Sequence, residues 1–253
     1  MAIIISDTQY LGKNLIFLKS IDSSNSYAKE LLTNSKPKNG TVILAEEQTA
    51  GRGQAGNSWQ SNAGENLTCS IIINTSWMPA NEQFSLNMAV SLAVLRTIKF
   101  FLKDEAEVSV KWPNDVLVDK QKICGILIEN TIYGNNLLNS IIGIGLNVNQ
   151  KDFGEYVQAT SIRKITQKTV DLLVVLKKLL IEMEHYLSLI QNKALLKDNY
   201  LRNLFLLNQE SRFTYDEREV SGIIRNINDA GQLIIEIDGN ICVVNMKEIR
   251  FIY

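Results

Sequence analysis

Histidine is nearly missing from this chain, with one residue, His185, in 253. A zinc site built on several histidines is excluded by count, and a His-based catalytic triad has one isolated candidate with no partners nearby in sequence. Cysteine is sparse: Cys69, Cys124 and Cys242 each lie in an apolar run without metal-like spacing. They read as packing groups in a reducing compartment, and no disulfide framework is implied. Charge of one sign is missing as well. The 26 Lys and Arg balance 27 Asp and Glu, which removes any broad electrostatic reason for a nucleic-acid partner but leaves room for a local basic site. No uninterrupted apolar run has membrane-spanning length, and the opening MAIIISDTQY lacks the basic and apolar regions of a signal peptide. The expectation is a cytoplasmic protein with no membrane partner. There is no Walker A sequence, and neither a diagnostic paired-carboxylate pattern nor a distinctive Cys-His arrangement.

What is present is 45% hydrophobic and 21% charged, the composition of a folded chain long enough for one large domain and one small one. Leu15 to Leu18 reads as a short strand and Ser24 to Leu32 as a capped amphipathic helix. Thr41–Glu46 and Leu67–Ile73 are β-rich. Phe84 to Leu102 has helical periodicity with an almost continuously apolar middle. Short strands follow at Val108–Trp112, Val116–Val118, Ile123–Glu129 and Leu137–Val148, joined by brief polar loops. This predicts an α+β fold, with a mixed or mainly antiparallel sheet carrying helices on one face. Thr169 to Gln191 predicts a long helix containing His185, and Lys193 to Leu207 a second. After Asn208–Ser211 the character changes to four or five short β-rich runs with Asp-Gly-type turns, the pattern of a small barrel. The predicted division is 1–210 and 211–253.

Between the strands at Thr41 and Leu67 lies Gly51-Arg-Gly-Gln-Ala-Gly56, which fits the G-x-G-x-x-G spacing. A dinucleotide fingerprint needs its last glycine to open a helix, whereas Gly56 is followed by polar turn formers through Asn66. The remaining readings are an amide-rich loop that folds over an anion with Arg52 supplying charge, or a plain surface turn. Lys111-Trp-Pro-Asn-Asp115 ends a β run. It reads either as a hairpin corner or as a site where Lys111 and Asp115 hold a phosphate and orient a substrate. Lys122 enters an apolar strand before Gly125, as a strand-edge lysine or as a cation facing the same cavity as Arg52 and Lys111. Gly143, Gly145 and Asn147 suit a ligand lying against bare backbone, or a bend in the sheet.

Taken in order, Ser23-Ser-Asn25, Gln48 through Trp59, Lys111 through Asp115, Lys122 through Glu129 and Gly143 through Asn147 resemble biotin protein ligases, also called biotin–[acetyl-CoA-carboxylase] ligases. Phe213 to Ile252 resembles their small domain. The resemblance implies a class II aminoacyl-tRNA synthetase-like catalytic fold, the biotin/lipoate ligase fold, followed by an SH3-like β-barrel. It also implies magnesium-dependent activation of biotin by ATP to biotinyl-5′-AMP, then transfer to one lysine of a biotin carboxyl carrier domain. The magnesium ion would be held mainly by ATP phosphates.

Carried over by position, Ser23, Ser24, Asn25, Gln48, Gly51, Arg52, Lys122, Gly125 and Leu127 are implied to bind biotin. Arg52, Gly53, Gln54, Trp59, Lys111, Asn114, Asp115, Lys122, Gly143 and Asn147 are implied to bind ATP and adenylate. Lys122 would touch both the biotin carboxylate and the α-phosphate. Arg52, Lys111 and Asp115 would complete the catalytic set. Many relatives continue the loop with two arginines where this chain has Gln54 and Ala55. Only about 15 residues precede the first strand, too few for a helix-turn-helix module, so a monofunctional ligase without DNA binding is expected, monomeric or homodimeric. The rivals are a lipoate ligase of the same fold and a noncatalytic binding protein.

Overall fold

The computed structural model describes residues 7–103, 106–154 and 158–253. The first six residues, read above for a leader, lie outside that set. Seven strands form the main sheet: β1 (Leu15–Ile21), β2 (Thr41–Gln48), β3 (Leu67–Asn74), β4 (Val108–Lys111), β5 (Asp115–Val118), β6 (Gln121–Tyr133) and β7 (Asn136–Leu146). Their order is β1-β2-β3-β7-β6-β5-β4. Only β1 and β2 run parallel, the helix α1 (Ser24–Asn34) making the crossover; the other pairs are antiparallel.

Both faces of this sheet are covered, where one was expected. On β2, Ile43 packs with Ala28 of α1, Ile72 and Ile141 on one side, while Val42 and Leu44 point into the larger core on the other. The two-residue alternation of a strand separates these sets. That larger core is roofed by α2 (Gln83–Leu102), α4 (Leu172–Ser188) and α5 (Lys193–Arg202), with a short α3 (Ile162–Thr166) that the sequence did not announce. Ser23 caps α1 by accepting from Ser26 N, and Asp171 caps α4 by accepting from Leu173 N at 2.8 Å. Residues Ala80–Leu102 form a stretch long and apolar enough to cross a membrane, but 72% of its most apolar window is buried inside the molecule. Its apolarity is therefore that of a core helix.

The second sheet corrects the barrel expectation. Strands β8 (Glu210–Tyr215), β9 (Arg218–Ile227), β10 (Leu233–Ile237), β11 (Asn240–Val244) and β12 (Ile249–Ile252) pair in the order β11-β10-β9-β8-β12. The two outer strands share no ladder, so the sheet is open. It is nonetheless curled. Four strand spacings would separate the edges of a flat sheet by roughly 19 Å, whereas the chain from Val244 to Ile249 reaches at most about 17 Å. A tight turn, with Glu248 N donating to Asn245 O at 3.2 Å, shortens that reach further.

This sheet docks on the first through Trp112, whose buried indole N–H donates to Gly231 O at 2.9 Å. Gly231 has φ +85, and a Cβ there would overlap the ring of Phe84 on α2. Both conformation and space therefore demand glycine at this joint.

Candidate active site

The centre of the main sheet supplies a bare patch of backbone. Gly125 on β6 is the direct partner of Gly145 on β7, and Gly143 lies two residues along the same face. The Trp59 ring rests on this patch: a Cβ at Gly145 would overlap it, and one at Gly125 would lie 3.2 Å from Cζ3. A Cβ at Gly143 would strike the side-chain amide of Asn25. These glycines thus leave room for side chains arriving from α1 and from the loop after β2.

That loop, residues 51–59, is a small hairpin. Trp59 N donates to Gly51 O at 2.8 Å, Gly53 N donates to Asn57 O at 2.7 Å, and Arg52 bridges Ser58. Its tip, Gln54–Gly56, is one turn of 3-10 helix whose Gln54 Nε2 reaches Met246 Sδ at 2.9 Å. The loop therefore spans from the main sheet to the β11–β12 connection.

Beneath it lies a cavity of about 560 Å³. Ser23, Ser24, Asn25, Gln48, Arg52, Lys122, Gly125 and Leu127 line it, together with Gly53, Gln54, Trp59, Lys111, Asn114, Asp115 and Gly143. Gly51 does not: it serves loop closure, with the Trp59 carbonyl filling the space a Cβ would need. Asn147 lies instead in a second cavity of about 1060 Å³, which shares Ser58, Trp59, Lys111, Asp115 and Lys122 with the first. Those shared residues form the wall between the two spaces.

One end of the first cavity is a buried polar chain. Ser24 donates to Gln48 Oε1 from N at 2.7 Å and from Oγ at 2.9 Å. Ser70 Oγ lies 2.7 Å from Ser24 Oγ and donates to Asn25 Oδ1 at 2.6 Å. Asn25 Nδ2 donates to Glu129 Oε2 at 2.8 Å, and Glu129 Oε1 pairs with Arg52 Nη2 at 2.8 Å. The links among Ser24, Ser70 and Asn25 satisfy groups that burial would otherwise leave costly, whereas the Arg52–Glu129 pair at the end of the chain is partly exposed. Ser70 and Glu129 were not among the residues singled out from the sequence. A serine in the mostly apolar, buried run Leu67–Ile73 of β3 was the available signal for the first. For the second it was the i, i+2 spacing of Gly125, Leu127 and Glu129 on one strand face.

The other end carries charge. Lys122 Nζ meets Asp115 Oδ1 at 2.6 Å, with 40% and 20% of the two side chains exposed. A pair this wet contributes at most about 1 kcal/mol to stability, so its value is in holding the ammonium at the junction of the cavities. Asn114 ties the turn to β6 by donating to Ile126 O at 2.7 Å, and Asn147 Nδ2 donates to Thr160 O at 3.0 Å. Burial pushes the Cys69 thiol up to about 12 and raises Cys124 well above the ordinary thiol range. Neither offers a thiolate nucleophile at neutral pH. His185 is exposed on α4 and lines neither cavity. What is assembled is a set of cations and polar groups around two adjoining spaces, suited to binding two anionic reactants and offsetting their repulsion.

A model of the biotin/lipoate A/B protein ligase family matches residues 17–147, just over half of the chain. The chain belongs to this family. Among relatives of this biotin/lipoate ligase family member, the bifunctional ligase/repressor BirA of Bacillus subtilis is 33% identical over 184 residues, 70% of this chain and 54% of that protein. The biotin–[acetyl-CoA-carboxylase] ligase of Mycobacterium tuberculosis is 31% identical over 215 residues, 83% of this chain and 78% of that one. The chain thus spans about half the length of the first curated relatives it matches. The biotin protein ligase of Aquifex aeolicus, solved in complex with biotin and ATP, shares the fold with TM-score 0.76 and 29% identity. That match covers 94% of this chain and 99% of the other.

Proposed function

We propose that this family member is an ATP-dependent biotin protein ligase. The observation that carries the reading is the Lys122–Asp115 pair standing in the shared wall of two cavities, one ending in the Ser24–Gln48 polar chain and the other holding Asn147. Biotin would lie in the first cavity with its ureido ring at the Ser24–Gln48 end, where hydroxyl and amide groups match a donor and acceptor ring. ATP would enter from the second cavity, with Trp59 and Asn147 toward the base and Lys111 toward the phosphates.

The biotin carboxylate then attacks the α-phosphorus and the bond to the bridging oxygen breaks, so that pyrophosphate leaves and biotinyl-5′-AMP forms. Lys122 offsets the repulsion between the two anions as they meet. In the second step the ε-amine of a lysine on a biotin carboxyl carrier domain attacks the carbonyl carbon of the mixed anhydride, and AMP leaves. Asp115 would organise this end of the site and Arg52 would hold the loop closed over the adenylate. Among the described residues no three His, Cys, Asp or Glu side chains converge. Magnesium, which supplies charge neutralisation, is accordingly assigned to the nucleotide phosphates, its usual carriers.

Lipoate is the closest rival within the family. Its dithiolane ring has no N–H or carbonyl to exchange hydrogen bonds with the Ser24–Gln48 end, whereas the ureido ring of biotin has both, which favours biotin. The three free cysteines support a reducing, cytoplasmic setting. We also divide the chain functionally at 210/211, one residue into β8, since strands β8 to β12 form ladders only among themselves.

The test is pyrophosphate release by the purified chain with magnesium ATP and either biotin or lipoate, with mass spectrometry of the bound product. Biotin-dependent release and a biotinyl-adenylate mass are expected. Lipoate-only turnover would move the reading to the rival, and no turnover with either acid would end it.

A further inference from the structure

Lys111 opens onto both cavities, yet among the described residues no carboxylate is in salt-bridge contact with it; Asp115, its cross-strand partner, is ion-paired with Lys122. Its ammonium is held by rings instead. Nζ donates to the Tyr253 phenol oxygen at 3.2 Å and lies 5.0 Å from the Tyr253 ring centre and 5.3 Å from that of Phe251. The rings are themselves fixed. Phe251 packs edge-on against the fully buried Phe213 at 5.3 Å and stacks with Phe205 at 6.4 Å, while Tyr253 meets Phe205 edge-on at 5.1 Å. The Tyr253 main-chain oxygen also accepts from Gln158 Nε2 at 3.5 Å.

An aromatic face attracts an ammonium without cancelling its formal charge, which a carboxylate at the same place would do. A box of rings therefore orders a long, flexible side chain while leaving its charge available to an arriving anion. Both rings belong to the segment of β12 and the residue after it, so the second sheet contributes directly to the site on the first.

We propose that Tyr253 and Phe251 are positioning residues for the nucleotide: they hold the Lys111 ammonium, unneutralised, toward the phosphate groups. This rests on the ligase reading above but does not follow from it, since a ligase could orient Lys111 by other means or leave it loose.

Calorimetry on the full chain, titrating magnesium ATP and biotin separately, tests the idea. Tyr253→Leu and Phe251→Leu are each expected to weaken magnesium ATP binding by about 5-fold, and Tyr253→Phe, which keeps the ring and loses the hydroxyl, by about 2-fold. Biotin affinity should be unchanged in both Tyr253 variants, since Tyr253 lines only the second cavity. In a Lys111→Met background, Tyr253→Leu should cause no further loss, because the ring would have no ammonium left to hold. Unchanged magnesium ATP affinity in Tyr253→Leu overturns the proposal. So does an equal loss with Lys111→Met already in place, the result expected of a mere packing brace. A parent protein that binds biotin but no magnesium ATP removes the ligase reading and this inference together. A parent that binds both ligands while the variants match it removes only this inference.

Discussion

Lys122 and Asp115 hold one another at 2.6 Å in the wall that both cavities share. The consequence of breaking that pair depends on which partner goes. Removing the lysine alone leaves a carboxylate facing the place where two more anions must meet, so repulsion is added to the loss of attraction. Lys122→Met is expected to slow adenylate formation by roughly 100-fold or more, and Lys122→Met with Asp115→Asn should recover part of that loss. Single-turnover measurement of adenylate formation checks both; equal rates for the single and double variants would mean that Asp115 exerts no field at the reacting atoms. Lys122, Asp115, Ser24 and Gln48 were legible in the sequence because each sits in a short motif whose order resembles a family. Ser70 and Glu129 were not legible as members of the polar chain. Local spacing could place Glu129 on the face of Gly125 and Leu127, but the contacts themselves arise because β3 and β6 flank β7, a non-local pairing that spacing does not give.

At the scale of elements, the hairpin of residues 51–59 is where this chain departs from the arginine-rich loops of its resemblance. The tip makes one sulfur contact, Gln54 to Met246, in place of charge. A neutral amide on a thioether is a weak tether, so a closed loop should lose adenylate readily. Restoring Gln54→Arg and Ala55→Arg together is expected to slow biotinyl-adenylate dissociation several-fold while leaving its rate of formation within about twofold. Release in a rapid-dilution chase measures this, and identical release from the parent and the restored protein would show the departure to be neutral. The strands themselves were read correctly to within a few residues, as at Leu67–Ile73 for the observed Leu67–Asn74. Their partners were not. Alternation in the segment after 210 specifies a half-buried strand equally well in a closed barrel or an open sheet, and closure depends on whether β11 and β12 share hydrogen bonds, which they do not. Helix placement had the same limit. The apolar stripe of α1 required burial but did not say on which face of the sheet.

Over the whole molecule, one core runs from β2 through α2, α4 and α5 into the second sheet, and it buries titratable groups along the way. Burial holds Cys69, Cys124 and Tyr200 in their neutral forms by raising their proton affinity above that of the unfolded chain. The folded state then binds more protons than the unfolded state once pH exceeds the ordinary values, 9.0 for the thiols and 10.0 for the phenol. Stability from these groups is therefore intact below about pH 9 and falls as pH rises beyond it. Tyr200 allows the most pointed test. Its hydroxyl is buried with no hydrogen-bond partner among the described residues, and its ring meets Phe84 edge-on at 5.9 Å. Tyr200→Phe keeps that packing and deletes an unpaired polar group, so it should unfold at the same or a higher urea concentration at pH 7, by up to about 1 kcal/mol in stability. Above pH 10 the variant should lose stability with a shallower slope than the parent, since one buried proton no longer has to be surrendered. Urea titrations from pH 7 to 11 measure both effects. A variant destabilised at pH 7 would mean that the phenol is hydrogen-bonded in solution, and an unchanged alkaline slope would mean that its proton is lost as readily from the folded chain as from the unfolded one.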